Sequence, residues 1–206
     1  VKPLFLFFLF AISIQSSAQD ANELFDKYSS ALVQIKSINI SSGQKSSIGT
    51  GFFIGDKGQV VTNYHVISGF VQTPEKFRLE YIDHDENSFA ISVIAVDVIN
   101  DLALLKTEQT SSVYFQLSNE EPTKGADLYA LGNPHDLGMI VVPGTYNGIK
   151  QNSFNERIHF TGSINSGMSG GPTVDTQGNV IGINVATAGN QIGFLVPVQK
   201  LHALID

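Results

Sequence analysis

An all-β fold built from two groups of strands is predicted by three observations. Short apolar and β-branched runs alternate with turn residues along most of the chain. The 19 Gly and 7 Pro among 206 residues suit many strands joined by turns better than a helical bundle. A polar stretch from Thr107 to Lys124, poor in strand pattern, divides the runs into two sets. About a dozen strands in two sets fit a double β-barrel or a sandwich, and periodicity alone does not choose between them. A hydrophobic fraction of 42% argues against a mostly disordered chain, and the length suffices to bury a core without staples.

The elements follow in order. Lys2 is a short positive start, Leu4 to Ile14 is apolar apart from Ser13, and Ser16-Ser17-Ala18 offers small residues for cleavage after Ala18. This is the pattern of an export signal over residues 1–18. A spanning helix needs roughly 20 apolar residues, so the run reads as a leader and the mature protein as exported, periplasmic or secreted. Ala21 to Leu32 has helical spacing: Leu24, Tyr28 and Leu32 fall on one face, and Asp20 with Glu23 matches a capping box. The first strand set is Val33–Ile40, Gly51–Ile54, Gln59–Thr62, Phe77–Ile82, Phe89–Val98 and Leu102–Lys106. The second is Leu128–Leu131, Met139–Val142, Arg157–Thr161, Pro172–Val174, Val180–Val185 and Ile192–Val196. Gly43-Gln44, Gly55-Asp56-Lys57-Gly58, Asn147-Gly148 and Gln177-Gly178 supply turn chemistry, and Val198 to Ile205 closes the chain as a helix.

Composition removes several function classes. The chain has no cysteine, which excludes a disulfide framework, a thiolate zinc site and a cysteine nucleophile. Its net charge is −7 with no basic block, so a nucleic-acid partner is not expected. No two of the five histidines have zinc-site spacing, and neither a metal nor any other cofactor is expected.

Three segments carry chemistry. In Gly167-Met168-Ser169-Gly170-Gly171-Pro172 a serine sits in a turn tight enough to aim two backbone N–H groups, those of Gly167 and Ser169, at one point. A serine hydroxyl needs a base beside it, and the oxyanion formed on attack needs such donors. The bland alternative is a glycine-rich hairpin. In Val61-Thr62-Asn63-Tyr64-His65-Val66 a strand ends and delivers a histidine into a loop, the side chain suited to proton transfer near neutrality. In Asp101-Leu102-Ala103-Leu104-Leu105-Lys106 a carboxylate abuts an apolar strand, where it can accept the histidine N–H and fix its tautomer. Asp97 is the rival acid, but it lies within the preceding strand. His84, His135, His159 and His202 lack comparable context and read as structural or exposed. His65, Asp101 and Ser169 come in that order, which is the order of the chymotrypsin-type triad and not of subtilisins or α/β-hydrolases. Base, orienter and nucleophile are thereby assigned in that sequence. An esterase could use the same groups, and a protease-like binding module would have no need of all three.

The chain resembles the protease domain of the HtrA/Deg family of trypsin-like serine peptidases. The resemblance runs from about Ala21 to the end and rests on GTGFFIGDKGQVVTNYHVI around His65, DLALLK from Asp101, LGNPHDLG at Leu131–Gly138, INSGMSGGP ending at Pro172, GNVIGINVA and GFLVPV. It implies a chymotrypsin-like double β-barrel over residues 31–206, with the first barrel at about 31–108 and the second at about 125–198, preceded by a helical segment at 19–30. The site would lie in the cleft between barrels, with the oxyanion hole at Gly167 and Ser169. Met168 stands where the family usually has asparagine, a change of little consequence if the backbone supplies the donor. The resemblance further implies serine endopeptidase activity on peptides or on unfolded or misfolded protein, and a homotrimer as one assembly. The short segment between Val33 and Gly51 argues against a large cage. Relatives usually carry a peptide-binding PDZ domain, and these residues correspond to the protease portion. Ser163, six before the nucleophile, would form the floor of the primary pocket, with Asn184, Val185 and Ala186 as its wall. No carboxylate there receives Lys or Arg, so a small or medium apolar P1 residue is expected.

Overall fold

The alternation of apolar runs and turns resolves into fourteen strands and three helices among the residues that the computed structural model describes, 17–133, 138–149, 155–187 and 192–205, the side chains of 17–20 and 186–187 excepted. Nothing of the leader before residue 17 is among them. No helix of the described residues is long and apolar enough to cross a membrane.

Helix α1 (Ser17–Tyr28) ends earlier than its spacing predicts. A 3-10 turn, Ser29–Ala31, follows, and Leu32 already belongs to strand β1 (Leu32–Asn39). Serines compete for backbone hydrogen bonds and the following β-branched run favours extended chain, so the helix gives way there. Leu24, Tyr28 and Leu32 are nevertheless all buried, as one apolar face requires.

The first sheet contains β1, β2 (Lys45–Ile54), β3 (Gln59–Thr62), β4 (Phe77–Ile82), β5 (Ser88–Ala90), β6 (Ser92–Asp97) and β7 (Leu102–Lys106), in the order β5-β4-β1-β2-β3-β7-β6. The expected single strand Phe89–Val98 is thus two. β5 pairs with β4 at one edge and β6 with β7 at the other, and only Ile91 separates them in the chain. Two strands one residue apart cannot occupy opposite edges of a flat sheet, so the sheet curls round until its edges meet. Ile91 is buried at that corner.

The second sheet contains β8 (Gln116–Leu117), β9 (Asp127–Gly132), β10 (Ile140–Ile149), β11 (Ile158–Phe160), β12 (Pro172–Val174), β13 (Asn179–Thr187) and β14 (Gly193–Pro197), in the order β12-β9-β10-β11-β14-β13-β8. A further β12–β13 pairing closes six of these into a ring. The fold is the double barrel, and the sandwich is excluded by this closure.

The polar divider between the barrels is more than a spacer. Phe115 within it is fully buried, donates its N–H to Phe53 O at 3.0 Å, and stacks on Tyr28 with ring centroids 4.5 Å apart. Gln116 and Leu117 then join β13 as a parallel strand. Helix α3 (Val198–Ile205) leaves the second barrel and packs back against β6 and β7 of the first, with Val198 and Leu201 buried. Helices α1 and α3, at the two ends of the described residues, therefore help hold the barrels together.

Candidate active site

Strand register places the first two groups. β3 runs antiparallel to β7 with Thr62 opposite Ala103. The chain leaving β3 and the chain entering β7 are therefore neighbours, which sets His65 beside Asp101. His65 does not lie in a loop, as its sequence context suggests. It occupies the first turn of helix α2 (Tyr64–Gln72), whose Val66 and Ile67 are buried. Asn63 stands at the N-cap position and makes no side-chain cap. Its amide reaches across to Asp101 O at 2.9 Å, and Asp101 Oδ1 accepts the His65 backbone N–H at 2.9 Å. The carboxylate thus caps the helix from another strand, where the first-turn N–H groups and the helix dipole favour an anion.

The other carboxylate oxygen, Oδ2, accepts from His65 Nδ1 at 2.7 Å. An ionised carboxylate only accepts, so Nδ1 carries the proton and Nε2 is left as a free acceptor. Side-chain exposure is 48% for His65 and 17% for Asp101. The imidazole is open to a substrate while the acid is shielded behind it.

Asp101 adopts φ +63, a left-handed conformation uncommon for a side-chain-bearing residue. The preceding turn sustains it. Asp97 Oδ1 accepts the Asn100 N–H at 2.9 Å, and Asp97 Oδ2 accepts from Asn100 Nδ2 at 2.6 Å. Burial opposes the charge on Asp97, but these bonds outweigh it and hold its carboxyl below the ordinary value. Asp97, the rival acid in the sequence, makes no contact with His65 among the described residues. It is the strut of the turn that presents Asp101.

Ser169 arrives from the second barrel in the turn between β11 and β12. Gly167 has φ +95 and Gly170 φ +88, conformations open to glycine. Neither Gly167 N–H nor Ser169 N–H donates a hydrogen bond among the described residues, whereas Met168, Gly170 and Gly171 N–H groups are all bonded. The two unengaged donors are the pair singled out in the sequence. Met168 is fully buried among Leu128, Ala130 and Ile164, packed on Gly132, and so anchors this turn in the barrel core.

The turn meets the first barrel at backbone distance. A Cβ on Gly170 would stand 2.2 Å from Thr62 Oγ1, 2.3 Å from Thr50 O and 2.9 Å from Asn63 N. A Cβ on Gly49 would lie 2.6 Å from Val66 Cγ2 and 2.9 Å from Ser169 O. Ser169 is therefore seated against the start of the helix that carries His65. Its hydroxyl donates to Val185 O at 2.9 Å, and no hydrogen bond links it to His65 among the described residues.

Thr50 is the residue that sequence reasoning overlooked. Fully buried in β2, it donates its N–H to Ser169 O at 2.8 Å and its hydroxyl to Gly167 O at 2.7 Å, and that hydroxyl accepts Asn133 N–H at 3.0 Å. One residue of the first barrel, through its backbone N–H and its hydroxyl, thereby braces the carbonyls of both Ser169 and Gly167. A hydroxyl-bearing residue between two glycines in Gly49-Thr50-Gly51 was the available signal.

The expected pocket residues divide. Ser163 is half-buried on the approach to the serine turn, and Val185 lies beside the serine hydroxyl. The Ala186 side chain lies outside the described residues. Asn184 is fully buried, its Nδ2 donates to Leu131 O at 2.9 Å, and its Oδ1 accepts from Thr173 at 2.6 Å. Among the other histidines, His202 Nε2 donates to Ser118 O and His84 lies 3.4 Å from Asp85, while His135 is outside the described residues.

Comparison with known proteins shows the family and the fold. The profile of the trypsin-like peptidase domain matches residues 49–183. A probable periplasmic serine endoprotease of the DegP-like type from Chlamydia pneumoniae is 31% identical over 169 residues, covering 77% of this chain and 33% of the relative. The chain spans about a third of the length of the curated bacterial relatives of this kind. The crystal structure of Deg5 superposes with a TM-score of 0.78 at 28% identity, covering 93% of this chain and 94% of that one. The serine endoprotease from Yersinia pestis gives 0.77 at 26% identity, covering 90% and 65%.

Proposed function

The chain belongs to the trypsin-like peptidase family, on its HtrA/Deg branch of serine-type endopeptidases, and we propose that it hydrolyses peptide bonds through His65, Asp101 and Ser169. The observation that carries this reading is the 2.7 Å His65–Asp101 contact, with the Ser169 turn seated against the start of the helix that bears His65.

In this mechanism Ser169 Oγ leaves Val185 O and turns to His65 Nε2. It attacks the scissile carbonyl carbon as Nε2 takes its proton. The N–H groups of Gly167 and Ser169 receive the developing oxyanion, the step in which preorganised donors contribute most. The imidazolium, stabilised by Asp101, protonates the leaving amine. Water then attacks the acyl-enzyme with His65 again as base, and Ser169 is released. Each step uses groups of the chain itself.

Ser163, Val185 and Ala186 form the primary pocket in this reading. With no carboxylate among them, it accepts a small or medium apolar P1 side chain. Unfolded or misfolded proteins are the substrates in this reading, which the naming of the relatives as endoproteases supports. The leader pattern of residues 1–18 and the periplasmic relatives support export to the periplasm. A homotrimer is the assembly proposed from the family.

Labelling with a fluorophosphonate probe tests the chemistry. The wild-type protein is expected to label, and Ser169→Ala and His65→Ala are expected not to. Folded wild type that fails to label in the presence of unfolded protein would refute the reading. Turnover of a simple ester but of no peptide would make the protein an esterase instead.

A further inference from the structure

Arg157 belongs to none of the segments that point to the site, yet its guanidinium reaches it. It lies at the approach to β11 in the second barrel. Its Nη1 donates to Glu156 O at 2.9 Å, and its Nη2 crosses to the first barrel and donates to Asn100 O at 3.4 Å. Asn100 is the residue that Asp97 holds in place and that leads directly into Asp101.

We propose that Arg157 is a positioning residue for the His65–Asp101 pair, a fixed cation set by one barrel against the turn that presents the other barrel's carboxylate. It touches no substrate and acts through Asp101. The inference rests on the peptidase reading given above.

The charges around the turn make the assignment specific. On the first-barrel side stand Asp97, Asp101 and His65. On the second-barrel side stand Arg157 and Glu156, and α3 contributes Lys200, which pairs with Glu156 Oε2 at 2.7 Å. Lys200 also acts on Asp97, and the guanidinium faces both Asp101 and Asp97. Burial lowers the pKa of Arg157, and the two carboxylates work against that. An arginine keeps its charge throughout the range in which proteins fold. The bond to Asn100 O, though long at 3.4 Å, ties the turn that leads into Asp101 to the second barrel.

The test is the fluorophosphonate labelling rate of the full chain at fixed pH, beside circular dichroism and the His65 imidazole NMR signals, assigned by their loss in His65→Ala. Arg157→Gln weakens the tie on Asn100 O and is expected to slow labelling by about fivefold and to shift those signals with the fold retained. Arg157→Lys keeps a cationic donor for the same carbonyl and is expected to recover most of both. An unchanged labelling rate and unchanged imidazole signals in Arg157→Gln overturn the proposal, and so does a loss that Arg157→Lys does not recover. A wild type that never labels, with imidazole signals that still move in Arg157→Gln and return in Arg157→Lys, would overturn the peptidase reading and leave this inference standing.

Discussion

In the first barrel the acid and the base are already joined. Both oxygens of Asp101 accept from His65, Asn63 holds the Asp101 carbonyl, and Asp97 holds the turn behind it. In the second barrel the serine hydroxyl is turned onto Val185 O, and its two neighbouring N–H donors have no partner among the described residues. The difference follows from what fixes each half. The His65–Asp101 contact is set by the β3–β7 register within one sheet. The meeting of that pair with Ser169 depends on a seam between sheets, made of Thr50 and of glycines too close to other atoms to bear a Cβ. Acid and base are thus secured by pairing, and nucleophile and base by packing.

The largest expected effect breaks the first half. Asp101→Asn suits the left-handed backbone, since asparagine tolerates φ above zero better than most residues. Its Oδ1 can still accept the His65 backbone N–H. Its amide NH2, facing Nδ1, would force the proton to Nε2, which could then no longer accept from Ser169. Turnover at neutral pH should fall by about 10⁴-fold with the fold retained. Peptide hydrolysis and circular dichroism of the purified variant check both halves of that statement.

Next comes the seam. Gly170→Ala puts a methyl 2.2 Å from Thr62 Oγ1 and 2.3 Å from Thr50 O at a residue with φ +88. The backbone carbonyl cannot retreat without disturbing β2, so a loss of roughly 3–5 kcal/mol is expected, which lowers the unfolding temperature by roughly 10 °C. Gly43→Ala is the matched control: its φ is +69 but nothing lies within 4 Å. Only backbone strain of about 1 kcal/mol should remain there. Equal losses at the two glycines would mean that conformation and not the close approach sets the cost.

Thr50→Val is smaller and more informative. The shape is kept, while Gly167 O and Asn133 N–H lose their partner in a buried place. Stability should fall by about 2 kcal/mol. Fluorophosphonate labelling should slow by about tenfold, because the serine turn loses its brace while the His65–Asp101 pair keeps its geometry. Thr50→Ser, which restores the hydroxyl, should recover most of both.

Sequence reading reached the first half of the site more fully than the seam. Leu102 to Leu105 are buried and consecutive, so the strand and the aspartate at its head are legible as apolar periodicity. The same holds for the runs that became β3, β4 and β12. Helix α2 was not legible, because Tyr64–Gln72 carries β-branched and glycine residues and owes its start to a carboxylate 36 residues away. The corner at Ile91 was hidden because one apolar strand and two abutting strands have the same pattern. Thr50, Asn184 and Arg157 act through partners 117, 53 and 57 residues distant. No local pattern encodes such pairings; they exist only once the two barrels have met.

The smallest expected effect concerns the turn behind Asp101. In Asp97→Asn the side-chain oxygen can still accept Asn100 N–H, but the new amide faces the Asn100 amide, donor against donor, where a carboxylate oxygen accepted at 2.6 Å. A loss of about 1 kcal/mol is expected at neutral pH. Its pH dependence has a definite sign. The carboxyl of Asp97 lies below its ordinary value of 3.8 in the folded chain, so its contribution is complete above that value and disappears as pH falls through the lower folded one. The unfolding temperatures of wild type and variant should therefore differ by a constant amount above about pH 5 and draw together below 3.8. A gap that stays open in acid would mean that Asp97 supports the turn through shape and not through its charge.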